Sequence, residues 1–74
     1  MVRVNVADVV VEVPCELVDK AVKQSGRDVW IEEWFSWLIY NREEGELLAC
    51  VVLGDGDDIE CTDITWLIKK CRGD

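Results

Sequence analysis

Four thiols and a surplus of carboxylates are what this chain offers to chemistry. Cys15, Cys50, Cys61 and Cys71 stand among sixteen Asp and Glu, against eight Lys and Arg. There is no histidine, which removes imidazole bases, Ser–His or Cys–His dyads and His-containing metal sites. No C-x-x-C pair occurs, so zinc is not expected. Asp55, Asp57, Asp58, Glu60 and Asp63 gather about Gly56 and invite a calcium reading. In an EF-hand loop, however, the glycine follows three Asp or Asn positions between two helices. Here it falls between the first two aspartates, and its flanks read as strands. Calcium is the lesser reading beside a solvated acidic turn.

Catalysis finds little more. Two carboxylates can act as acid and base in a glycosidase, but 74 residues are too few to enclose a sugar cleft. No glycine-rich phosphate loop occurs, and Ser25 and Ser36 have no evident base. The expectation is a protein that is not an enzyme and takes no cofactor or metal.

The charge is unevenly placed. The net value is −8 with a pI near 4.3, yet residues 28–63 carry eleven acids against one base, Arg42. The first 27 residues balance, and the last eleven are net positive through Lys69, Lys70 and Arg72. A concentration of this kind projects a negative field over one part of the surface. It argues against direct nucleic-acid binding and against docking on anionic lipid. Solubility is the plainer explanation, and it accounts better for a general excess of acids than for a local one.

The elements that must hold these residues can be read from periodicity. Val2, Val4 and Val6 alternate, and so do Val9, Val11 and Val13, with the apolar parity flipping between the two sets. A hairpin turning at Ala7-Asp8 resolves the flip, pairing Val6 with Val9 and Arg3 with Glu12. Pro14 opens a helix whose buried stripe is Leu17, Val18, Ala21 and Val22, and Gly26 ends it. A second helix is expected from about Val29 to Glu44, with Asp28 as N-cap and Gly45 beyond its end. Leu47 to Leu53 reads as a buried strand, folding back at Asp55-Gly56 so that Cys50 faces Cys61. Thr62 caps a last helix with Ile64, Leu67, Ile68 and Cys71 on one side. The expected fold is a small single domain (1–74) of the α+β class, ordered ββααββα: an antiparallel sheet of two hairpins with three helices packed on it. No run of eighteen apolar residues exists and the N-terminus lacks a signal-peptide pattern, so a cytoplasmic protein with four reduced thiols is expected.

Candidate contact residues follow from the helical reading. Glu33, Trp37, Tyr40 and Glu44 form a ridge on the second helix, two acids bracketing two aromatics of the type enriched at interface hot spots. The plainer alternative tucks Trp37 under a neighbouring helix. Trp66 projects about 160° from the buried stripe of its own helix, toward Lys69 and Lys70, and is expected to be covered or partner-facing. Carboxylates at Glu32, Glu33, Glu43, Glu44, Glu46, Asp55, Asp57 and Asp58 would stand in for phosphates.

These residues suggest docking on a basic surface of a nucleic-acid-binding protein, with Trp37, Tyr40 and Trp66 as anchors. In being very small, acidic and free of catalytic motifs, the chain is similar in general character to phage-encoded inhibitors of bacterial defence, the anti-CRISPR and anti-restriction proteins. The likeness implies blockade of a nuclease or defence complex, and it rests on no shared motif. The alternatives are a homodimeric adaptor joined through Trp37, Tyr40 or Trp66, and an antitoxin-like neutraliser of a basic toxin.

Overall fold

The computed structural model describes residues 1–32 and 35–73. Its elements run β1 (Val2–Val6), β2 (Val9–Val13), α1 (Cys15–Gln24), β3 (Val29–Glu32), β4 (Ser36–Asn41), β5 (Glu46–Leu53), β6 (Asp58–Asp63) and α2 (Trp66–Cys71). The order is therefore ββαββββα. Two antiparallel sheets form, one of β1–β2 and one in the order β3–β4–β5–β6. This corrects the expected ββααββα fold, because the described residues form two helices rather than three.

The expected helix over 29–44 is the error. That stretch is a hairpin, with Val29 opposite Leu38 and Trp30 opposite Trp37. Half of its residues are β-branched or aromatic, types that fit a pleated half-buried surface better than a helix. In a stretch this rich in apolar side chains, a 3.6-residue period and a two-residue period both find matches. Burial decides for the second: Ser36 and Leu38 are sealed while Trp37 and Ile39 are not. Gly45, expected beyond a helix end, instead takes a φ of +68° in the β4–β5 turn. Thr62 likewise lies inside β6 rather than capping α2, which begins at Trp66.

The hairpins follow the expected registers. In the first, Val6 pairs with Val9, Val4 with Val11 and Arg3 with Glu12, the last an ion pair at 3.6 Å. Both turn residues, Ala7 (φ +49°) and Asp8 (φ +68°), hold left-handed backbone that suits neither well. Replacing Ala7-Asp8 by Asn-Gly should raise stability by about 1 kcal/mol. An unchanged urea midpoint would show that the turn carries no such strain. In the last hairpin Leu53 pairs with Asp58, Val52 with Ile59 and Cys50 with Cys61.

One face of the four-stranded sheet is covered. α1 lies over β3 and β4, and the β1–β2 hairpin reaches β5 and β6. Between them lies the core: Val4, Val6, Val11 and Val13 from the hairpin, Val18 and Ala21 from α1, and Leu38, Leu47, Ala49 and Val51 from the sheet. Ile64 and Leu67 close it from the α2 side.

All four cysteines are bonded, as Cys15–Cys71 and Cys50–Cys61. The expectation of four reduced thiols is therefore corrected. It rested on a presumed compartment, whereas the fold brings Cys15 at the start of α1 to Cys71 at the end of α2 with Cα atoms 5.4 Å apart. Among the described residues, no helix is long and apolar enough to cross a membrane.

Candidate functional site

Side chains alternate across a strand, so the cover on one face exposes the residues of opposite parity on the other. Trp30, Trp37, Cys50 and Cys61 form one cross-strand row on the outer face, running from β3 to β6. Ile39 and Leu48 pair on one side of it, and Val52 and Ile59 on the other. Exposure along the row is uneven, with Trp30 and Cys61 exposed, Trp37 half-buried and Cys50 buried beneath the disulfide. Trp30 is 50% exposed and Ile59 58%. The two indoles lie with ring centroids 5.0 Å apart and planes tilted by 50°. Near the β4–β5 turn the face runs into an open hollow of about 490 Å³, floored by Ile39 and Leu48 and rimmed by Ser25, Gly26, Asn41 and Glu43.

The carboxylates sit at the two ends of the sheet. Glu43 and Glu44 occupy the β4–β5 turn and Glu46 begins β5. Asn41 Oδ1 shapes that turn by accepting the backbone N–H groups of Glu43 (3.0 Å) and Glu44 (3.4 Å). At the opposite end, Asp55 and Asp57 lie in the β5–β6 turn, Asp58 begins β6 and Glu32 ends β3. The eight residues of β5 separate the two poles by roughly 25 Å. The expected acidic segment is thus two clusters with an apolar face between them.

Two expectations about contact residues change. Tyr40 packs against the core, on the opposite face from Trp37, so the two aromatics of the expected ridge do not share a surface. Trp37 is half-buried beside Trp30 rather than under a helix. Trp66 is 51% exposed on α2, which packs against α1, and Lys70 Nζ stands 5.9 Å from its ring centroid. It belongs to a separate surface. Glu33 lies outside the described residues. Trp30, Ile39, Leu48 and Ile59 were missed, and the two-residue alternation of Ser36 to Asn41 is the signal that would have found the face.

Crowding among the acids shows in their titration. Glu46 is held above the usual carboxylate range, chiefly by the charge of Glu44, with partial desolvation and Asp63 adding to it. Asp63 is held below that range. Its Oδ1 accepts the Thr65 hydroxyl at 2.6 Å and the Thr65 backbone N–H at 2.8 Å. The Thr65 hydroxyl oxygen in turn accepts the Leu47 N–H at 3.0 Å, tying β5 to the start of α2.

The two shifts act oppositely on stability. A raised Glu46 favours the protonated fold, so its penalty is present at neutral pH and fades as pH falls through the raised value. A lowered Asp63 contributes stability that is lost as pH falls through its depressed value. Glu46→Gln should therefore unfold at higher urea than the parent at pH 7, with the gain gone by about pH 3.5. A gain that persisted in acid would assign the effect to packing instead.

No known family model, no curated protein and no solved structure matches this chain. Its site has to be read from its own chemistry. Among the described residues no group of three or more metal-ligating side chains converges. What the arrangement offers is a flat apolar surface with aromatic content and a negative rim at both ends.

Proposed function

We infer that the chain is a non-enzymatic binding protein that docks on a basic, nucleic-acid-binding surface of another protein and blocks it. One observation carries this reading: the uncovered face of the sheet lies between two acidic poles, while Lys20, Lys23, Lys69 and Lys70 are borne by the helices. A surface of this form suits a partner with an apolar centre and cationic flanks. The poles supply steering and register, and the indoles supply the desolvated anchor. Blockade of a nuclease or defence complex, with carboxylates standing where phosphates would bind, is the specific form proposed. The bare face could equally take a second copy of the chain. Both ends of the sheet are acidic, however, so stacking two copies face to face with their strands aligned, in either direction, brings acid onto acid.

Salt separates the two. Binding to a basic partner should weaken steeply as ionic strength rises, whereas self-association through the face should strengthen as the poles are screened. The test is to capture partners on the tagged protein, then measure whether a captured protein loses its nucleic acid when this chain is added. Loss by competition, sensitive to salt, supports the reading. A partner that holds nucleic acid unchanged, or a dimer that tightens with salt and no basic partner, overturns it.

A further inference from the structure

We propose that the Trp30–Trp37 pair is a seat for an arginine side chain of the partner, so that docking selects an arginine-bearing segment over a lysine-bearing one. The inference rests on the reading above and names the chemistry of its centre. Its starting point is a contrast between exposed indoles. Trp66 has a cation of its own chain beside it, Lys70, at 5.9 Å. Among the described residues, Trp30 and Trp37 have none, although they belong to the stretch 28–63 that holds eleven of the sixteen acids.

The geometry suits a planar cation. The rings are 5.0 Å apart and tilted by 50°, and Trp30, on the edge strand, keeps half its surface open. Along the chain, Asp28 stands two residues before Trp30, while Glu32 lies beyond a register shift and pairs with Ser36 of the covered face, so Asp28 is the neighbouring carboxylate of the outer face. A guanidinium laid on an indole face gains from the ring quadrupole while its N–H fork remains free for a carboxylate. An ammonium is compact and strongly hydrated, and it gives up more water for the same place. The row of Trp30, Trp37, Cys50 and Cys61 extends this seat by an apolar strip across the sheet. With its flanks it covers roughly 250 Å², the centre of an interface of about 800 Å² per partner.

The probes are hexa-arginine and hexa-lysine peptides at low salt, read by the indole N–H resonances of the full chain. Hexa-arginine should shift the Trp30 and Trp37 signals, leave Trp66 in place and bind about fivefold tighter than hexa-lysine. Trp30→Leu should abolish that preference while leaving the weaker charge-driven binding. If that variant does not fold, the pattern of shifts in the parent decides alone. Equal affinity for the two peptides, or shifts confined to the acidic turns, overturns the seat and leaves the charge-driven reading standing. Binding of neither peptide overturns both.

Discussion

Removal of the Cys15–Cys71 bridge, as Cys15→Ser with Cys71→Ser, should lower the unfolding free energy by about 4 kcal/mol. The bond joins residues 56 apart, and chain-entropy bookkeeping for a loop of that length gives this figure. The Cys50–Cys61 bridge spans only 11 residues, and the same reasoning gives about 3 kcal/mol. Domains of this size hold roughly 4–11 kcal/mol in all. A core closed by a six-residue α2 and two short sheets has little in reserve. The long bridge also pins α2 to α1, so its loss should free Ile64 and Leu67 from the core. Urea unfolding of the double variant beside the oxidised parent measures the effect. An unchanged midpoint would mean that the bridge adds nothing the packing of α2 does not already supply.

The other large effect concerns binding. Changing Glu43, Glu44 and Glu46 together to Lys should weaken the complex with the basic partner about a hundredfold, from roughly 1 kcal/mol per reversed charge. All three lie at one pole, outside the core, and Glu46 is already repelled by Glu44 and Asp63. Reversal leaves positions 44 and 46 with like charges but makes the contact of position 46 with Asp63 attractive, and no core residue is touched, so the fold should survive. Most of the loss should appear in the association rate and in a shallower salt dependence. Affinity that held after the reversal would remove this pole from the interface and leave the Asp55, Asp57 and Asp58 end to carry the charge.

The two effects have different reach in the sequence. The second was legible at once, because charge is a property of residue type and its crowding into residues 28–63 needs no fold to be seen. The first was not. Pairing Cys15 with Cys71 requires the ends of α1 and α2 to meet, and no local pattern states which distant segments converge.

The sequence alone determined what depends on near neighbours. Valine parity and a two-residue turn set the first hairpin, and the Asp55-Gly56 turn placed Cys50 opposite Cys61. The stripe of Ile64, Leu67, Ile68 and Cys71 marked the side turned inward, where Ile64, just ahead of α2, and Leu67 on it are sealed. Between Val29 and Glu44 apolar side chains were too dense for one period to exclude the other, and there the local reading failed. Only the tertiary structure decided that this stretch pairs with β5, because the benefit of the strand comes from a partner beyond it in the chain. It likewise decided which indoles remain open. Whether Trp30, Trp37 or Trp66 meets water depends on what packs above it, and α1 and the first hairpin cover one side of the sheet and not the other.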